Sequence, residues 1–330
     1  MSASAGPPLQ GVVLAAGLGS RMAPITAYLP KPLLPMGNLP LAAYALRLLG
    51  AAQITDVCLN LHHLGPQVRQ CLKDGGAHGV SLIYSDEAVL LGTGGALRHM
   101  QPWLRHTCVV VNSDILIDLD LPSALAEHRR RGALATMVLR PQPPKSSFGS
   151  IGIAPDGQIC SILGEARNAD LGQPLMFTGV QIIEPGFLEE MPAGGSFCVV
   201  RQGYAPAMRR GAPLYAHVCG GHWADVGTPA AYLATTAWIL GGGRVPQVAE
   251  PLAGLERATG PGCQGAVWRD PTASIDPGAR VGPDVLLGAN VHVPAGAQID
   301  RSVILAGTQL EQNGVVSRAI VGPAGRLLAN

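Results

Sequence analysis

The chain has 330 residues, 47% of them hydrophobic and 14% charged, with a formal net charge of +1. That composition supports a large apolar core and gives no electrostatic reason to expect nucleic acid or an anionic membrane as partner. No stretch reaches the ~18 uninterrupted apolar residues of a membrane span.

The first ten residues, "MSASAGPPLQ", lack both a basic start and an apolar run, so we expect a disordered segment over 1–10 rather than a signal peptide. From residue 11 to about residue 140, short apolar runs alternate with helical stretches. "GVVLAA", "DVCLNL", "SLIYSD", "TCVVVNSD" and "ALATMVLR" read as strands, and "PLAAYALRLLGAA" and "GGALRHMQPWL" as helices. The alternation predicts an α/β fold with a mixed, mostly parallel sheet flanked by helices and with ligands at the carboxyl ends of its strands. Beyond it, "FGSIGIAPDGQICSIL" reads as a hairpin turning at Asp156-Gly157, "LMFTGVQIIEP" as a further strand and "TPAAYLATTAWIL" as a helix. These are expected to extend the same sheet and close the site.

Residues 241–265 are rich in glycine and proline and are expected to form a linker. Residues 266–330 carry a six-residue repeat. Ile275, Val281, Leu287, Val293, Ile299 and Leu305 form one register, and Ala273, Ala279, Val285, Val291, Ala297 and Val303 a second. One strand per hexad is the pattern of a triangular β-helix, here of about two coils. So short a stack is expected to meet a partner surface, a second copy of the chain being one candidate. Seven dispersed cysteines argue against a disulfide framework or a structural zinc site, and a reducing cytoplasm is the expected compartment. The run "HRRRG" ends a helix and is expected to be a solvated face.

The chemistry concentrates in a few places. "GVVLAAGLGSRMAP" is neither a P-loop, which needs a closing Lys-Ser or Lys-Thr, nor a dinucleotide fingerprint, which needs glycine where Met22 stands. Gly17, Gly19 and Ser20 still allow backbone N–H groups to approach a polyphosphate, and Arg21 adds a permanently charged fork. Lys31 follows between Pro30 and Pro32, which stiffen the backbone that presents it. Asp114 ends an apolar strand, and Asp225 in "GHWADVGTP" stands at a strand-to-helix junction. Either could cap a turn or helix, whereas two aspartates meeting one phosphate would hold Mg²⁺. His62 and His63 are adjacent, without metal-ligand spacing.

With these residues in view, "LAAGLGSRMAPITAYLPKPLLP" resembles the signature of the sugar-1-phosphate nucleotidylyltransferases, or NDP-sugar pyrophosphorylases, and "LGTGGAL", "VNSD", "FTGVQII" and "WADVGTP" follow in the family's order over residues 10–240. The resemblance implies a Rossmann-like fold of the GT-A type with a C-terminal left-handed β-helix, and a catalytic domain over 11–240. It also implies an Mg²⁺-dependent enzyme that makes NDP-sugar and pyrophosphate from NTP and sugar 1-phosphate. Mannose-1-phosphate guanylyltransferases, which would use GTP, are similar in architecture; "NLHHLG", "LGTGG" and "GHWADVGT" also resemble N-acetylmuramate-1-phosphate uridylyltransferases. By the same resemblance, Ala15, Ala16 and Gly17 contact the nucleotide by backbone, and Gly19, Ser20, Arg21 and Lys31 face its phosphates. Glu87 to Gly94, with Gly92 and Thr93 foremost, lie near the base, Asn112 faces the nucleoside, and Asp114 and Asp225 hold the metal. Gly149, Glu165 and Thr178 line the sugar pocket. Where the family often has Glu-Lys-Pro, this chain has Glu165-Ala166-Arg167, which leaves Arg167 or Lys145 to replace the lysine. That departure also admits a non-catalytic, nucleotide-sugar-binding regulatory subunit. Because every assigned residue precedes residue 230, the repeat is expected to serve assembly or stability rather than chemistry.

Overall fold

The computed structural model describes residues 8–143, 148–166 and 174–329. The expected disordered start falls largely on residues 1–7, outside the described residues; the first strand, Leu9–Leu14, already includes Leu9 and Gln10. Contacts divide the chain into two compact units, Met1–Gly17 with Ala45–Trp223 and Leu18–Tyr44 with Ala224–Asn330.

The first unit is built on a mixed sheet. Leu9–Leu14 lies between Asp56–Leu61 and Thr107–Asn112, parallel to both, and Ser81–Asp86 adds a fourth parallel strand outside Asp56–Leu61. The three inner strands are near-continuous apolar runs, with Val12, Val13, Leu59 and Val110 completely buried, whereas the edge strand Ser81–Asp86 is largely exposed. Gly11 is required by that packing: a Cβ there would lie 2.9 Å from Leu49 Cδ1 and 3.0 Å from Val57 Cγ2. The buried Gln10 closes the amino-terminal edge, its Oε1 accepting from the Arg105 amide at 2.8 Å and its Nε2 donating to Trp103 O at 3.1 Å.

The long strand Leu175–Ile183 runs antiparallel to Thr107–Asn112 on one side and to Ala135–Pro141 on the other. The hairpin of Ser150–Ile153 and Ile159–Ile162 extends the sheet beyond it, as its sequence leads one to expect. Its turn uses Gly157 at φ 85°, with the Gly157 amide donating to Ala154 O at 2.8 Å.

The helix Leu121–Arg130 is capped by Asp120, which accepts from the Ser123 amide at 3.0 Å. Its basic end is partly paired rather than simply solvated. Arg131 donates to Glu127 at 2.8 Å and its guanidinium stands 5.0 Å from the Tyr215 ring centre. All seven cysteines are free thiols; Cys58 and Cys108 are buried in the core, and burial pushes the Cys58 thiol up to about 12. Among the described residues no helix is long and apolar enough to cross a membrane.

The second unit joins residues 18–44, the helix Pro229–Leu240 and a triangular β-helix. The segment expected as a linker carries the strand Glu256–Arg257, which pairs antiparallel with Trp268–Arg269. Parallel pairing then follows an offset of 18 residues, with Val267 opposite Val285, Ser274 opposite His292 and Arg280 opposite Gln298. Three hexads make one coil. Both predicted registers point inward as far as Ala297 and Ile299, with Ala279, Val285, Leu287, Val291 and Val293 in the repeat's core; beyond them Ile304, opposite Leu287, takes the inward place expected of Val303 and Leu305.

The stack is longer than the expected two coils. One face carries Val267–Arg269, Val285–Leu287, Ser302–Ile304 and Ala319–Gly322 in succession, closed by the antiparallel strand Gly325–Leu328. The later coils have 17 residues, with Val285 opposite Ser302 and Val303 opposite Ile320. The lost residue breaks the hexad, so the final coil escapes a six-residue count. Asp284, Arg301 and Arg318 turn one corner at positive φ, where glycine would be the usual choice.

His128 supplies a test of the first unit's core. It is 1% exposed, with Nδ1 2.8 Å from Thr136 Oγ1 and Nε2 3.0 Å from Glu184 Oε1. Burial lowers its pKa below the ordinary 6.5, outweighing the opposing pull of Glu184. The fold thus favours the neutral ring; this contribution is complete above 6.5 and is lost as the pH falls below it. Thermal melts between about pH 7 and about pH 5 should show the parent losing stability more steeply than His128→Gln. Parallel slopes would rule this out.

Candidate functional site

In the first unit the carboxyl ends of four parallel strands lie along one edge, and a buried polar relay ties their loops together. Asn60 Oδ1 accepts from the Ala15 amide at 2.7 Å, and Asn60 Nδ2 donates to Glu87 Oε1 at 2.6 Å. Glu87 Oε2 then accepts from the Leu91 amide at 3.0 Å, while its own carbonyl lies 2.8 Å from His62 Nδ1. Asn60 and Glu87 are 4% and 6% exposed, so each needs these partners. The effect is to hold the start of the glycine turn and the entry to Gly92–His99 in fixed positions. On the neighbouring strand the Ser113 amide donates to Leu14 O at 3.0 Å, which holds Asn112 opposite Leu14, where the glycine turn begins. Asp114 is half-buried.

Gly92 and Thr93 are assigned to the base, yet their neighbours explain much of their chemistry. A Cβ at Gly94 would stand 2.4 Å from the Phe197 ring and one at Gly95 2.3 Å from Gly195 O. Thr93 Oγ1 accepts from the Val199 amide at 3.0 Å. The glycine run therefore allows residues 195–199 to lie against the helix start.

The residues assigned to the sugar divide. Thr178 is fully buried; its hydroxyl donates to Val138 O at 2.8 Å and its carbonyl accepts from Trp223 Nε1 at 2.9 Å. Trp223 also takes the edge of Phe148, with ring centres 5.5 Å apart, beside Gly149. Glu165 lies away from that cluster in its contacts, paired with Arg209 at the surface. Lys145 and Arg167, the expected substitutes for the missing lysine, lie outside the described residues. Among the described residues, a cation that sequence reasoning passed over stands beside Trp223. The Arg140 guanidinium is 5.5 Å from the Trp223 ring centre, and its buried Nε has no hydrogen-bond partner among the described residues.

The other assigned residues fall in the second unit. Gly19 adopts φ 63°, and its carbonyl accepts from the Met22 amide at 2.8 Å and from Thr26 Oγ1 at 2.9 Å. A side chain at Gly19 would meet Thr26 Cγ2 at 2.9 Å and Lys31 Cβ at 3.1 Å, so Thr26 and Lys31 close around the turn that presents Ser20 and Arg21. Lys31 opens the short turn Lys31–Leu33, held by the Leu33 amide donating to Pro30 O at 2.8 Å. An ideal Cβ at Gly227 would lie 2.7 Å from both Arg21 Nη2 and Asp225 Oδ1. Glycine therefore lets a permanent cation and a carboxylate approach the same stretch of backbone closely.

Among the described residues there is no group of three or more His, Cys, Asp or Glu side chains that could hold a metal ion. Mg²⁺ held largely by substrate phosphates needs only one or two carboxylates, with water completing its shell. In the second unit Asp225, whose Oδ1 stands beside Arg21 against Gly227, offers a hard oxygen donor of that kind.

A family model described as "Nucleotidyl transferase" matches residues 10–240, and one described as "GMPPB C-terminal domain" matches residues 263–328. A UTP–glucose-1-phosphate uridylyltransferase of Synechocystis is 27% identical, covering 92% of this chain and 84% of that protein. A mannose-1-phosphate guanylyltransferase of Mycobacterium tuberculosis is also 27% identical, covering 94% and 83%. Among solved structures, HddC from Yersinia pseudotuberculosis shares the fold at a TM-score of 0.59 and 19% identity, covering 70% of this chain and 99% of that one.

The relay can be tested by Asn60→Asp, which keeps the shape but places a second carboxylate beside Glu87. Two buried carboxylates at hydrogen-bond distance cannot both ionise cheaply, so one holds a proton. The variant should be destabilised by about 2 kcal/mol or more near pH 8 and recover towards about pH 5. A loss that does not depend on pH would refute the relay.

Proposed function

This chain belongs to the nucleotidyl transferase family, and from that premise we infer that it joins a nucleoside triphosphate to a sugar 1-phosphate, releasing pyrophosphate, with GTP and mannose 1-phosphate as its substrates. The observation that carries this reading is the close approach at Gly227, where the Arg21 guanidinium and the Asp225 carboxylate both stand against a backbone that carries no side chain. A cation that binds phosphate oxygen and a ligand for a phosphate-bound metal are what polyphosphate chemistry requires.

In the proposed reaction, an oxygen of the sugar 1-phosphate attacks the α-phosphorus in line. A new P–O bond forms as the bond to the β-phosphate oxygen breaks, and pyrophosphate leaves with the electron pair. The attacking oxygen is already ionised near neutral pH, so no general base is needed. The backbone of Ala15 to Gly17, with Asn112, holds the nucleoside end, while Gly19, Ser20, Arg21 and Lys31 neutralise the triphosphate and the departing charge. Gly92 and Thr93 face the base and Gly149 the sugar, with the buried Thr178 behind it fixing Trp223; Glu165, paired with Arg209 at the surface, drops out of the sugar side. Mg²⁺ would be held by Asp114 and Asp225 and would supply charge neutralisation across the phosphates. Seven free thiols suit a reducing cytoplasm, and a second copy of the chain against the β-helix is the assembly this reading carries.

A panel pairing each common NTP with several sugar 1-phosphates, scored by pyrophosphate release, tests the substrate pair. Turnover only with UTP would establish the uridylyl alternative, which the Synechocystis relative supports. Binding without any pyrophosphate release would establish a regulatory subunit.

The metal assignment predicts that Asp114→Asn and Asp225→Asn each keep the fold and lose Mg²⁺-dependent turnover by about a hundredfold or more, because an amide is a poor ligand for a hard cation. Near-parental rates at saturating Mg²⁺ would remove that residue from the site. Arg21→Ala should lower kcat by about a hundredfold while shifting nucleotide affinity far less. A rise in KM with kcat intact would reduce Arg21 to a ground-state contact.

A further inference from the structure

Residues 18–44 are held from two sides within their own unit. On one side, the Asn38 amide donates to Pro251 O at 2.7 Å, and the Tyr232 hydroxyl donates to Pro35 O at 2.5 Å. Gly37 allows that approach, since a Cβ there would stand 2.3 Å from Pro251 O. On the other side, the short turn Ile25–Ala27 packs on the last two strands of the β-helix, Ala319–Gly322 and Gly325–Leu328.

That second contact is built by shape rather than by hydrogen bonding. An ideal Cβ at Gly322 would lie 1.7 Å from Tyr28 Oη, and one at Gly325 would lie 3.0 Å from Pro24 Cγ. The Tyr28 hydroxyl is buried with no hydrogen-bond partner among the described residues. Leaving a hydroxyl buried and unpaired is unfavourable, so the placement serves the fit of the ring and its oxygen over a bare backbone. The turn carrying Tyr28 is also the turn that closes the glycine loop. Thr26 Oγ1 donates to Gly19 O at 2.9 Å, and Gly19 in turn borders Lys31.

We propose that the final hairpin of the β-helix, through Tyr28 seated on Gly322, positions Arg21 and Lys31 for nucleotidyl transfer. Tyr28 is then a positioning residue, and the C-terminal repeat takes part in catalysis at one remove, which differs from the assembly role its sequence suggests. The proposal rests on the transfer reading above. A shift of the cations by about an ångström suffices, since misplacement on that scale costs up to about a hundredfold in rate.

The test uses the full-length chain with three variants and two readouts. In Gly322→Ala the added methyl collides with Tyr28 Oη, and kcat should fall about ten- to a hundredfold with a much smaller change in KM for the nucleotide. Trypsin cleavage after the exposed Arg21 should quicken, since the turn no longer seats. Adding Tyr28→Phe removes the colliding oxygen, leaving Cζ at 3.0 Å, and should restore most of both properties. Should Gly322→Ala not fold, Tyr28→Ala puts the same question from the other side, and it should lower kcat while the β-helix stays intact. Gly322→Ala with parental kcat and parental cleavage, or a double variant no better than the single one, would overturn the coupling. If the parent releases no pyrophosphate with any substrate pair but the cleavage ranking holds, the coupling stands and the transfer reading falls.

Discussion

The Asn60 carboxamide does two tasks at once: it satisfies the Ala15 amide and it donates to a buried Glu87 carboxylate. Parallel strands end with backbone groups that their own ladder cannot pair, and those groups must find partners where the loops turn away. Here the partners are side chains from the adjacent strand and the loop beyond it. The polar relay thereby converts the edge of an apolar sheet into a set of fixed loop positions. Preorganised backbone donors of this kind are what a phosphate-transfer site draws on, because they need no reorganisation as charge shifts.

Glycine is used for spacing, and its several uses differ. At Gly94 and Gly95 it admits the chain at residues 195–199 against a helix start. At Gly19 it supplies a left-handed backbone for the turn that presents Ser20 and Arg21. At Gly227 it lets a cation and a carboxylate approach the backbone, and at Gly322 it seats a tyrosine. Of these, only Gly19 combines a left-handed backbone with crowding, by Thr26 and Lys31. The others depend on what lies opposite, so substitution at each would fail for a different reason.

The second unit is assembled from parts far apart in the chain. Residues 18–44 pack with the helix Pro229–Leu240 and with the β-helix, while the residues before and after them belong to the other unit. The cations proposed to meet the phosphates thus rest on a scaffold completed only near the carboxyl terminus. A β-helix is well suited to that task, because each coil is pinned by parallel pairing to its neighbours and leaves little freedom at its corners.

Much of this protein was legible in its residues. The apolar runs marked the parallel strands because a sheet covered on both faces needs side chains that can be buried everywhere, and the Asp156-Gly157 pair marked its hairpin. The six-residue period marked the β-helix because every third strand returns to the same face, and Arg21, Lys31, Asp114 and Asp225 stood out by charge and setting. What the sequence could not decide was partnership. Asn60 looked like one polar residue in an apolar strand, and its value lay in Ala15 and Glu87, which are remote in the chain. Arg140 came to notice only through Trp223, and the final coil only through pairing at 17 residues, since losing one residue erases the period without breaking the ladder. Tyr28 and Gly322 carry no signal in either stretch, because a steric fit belongs to two surfaces at once and exists only when the chain has brought them together.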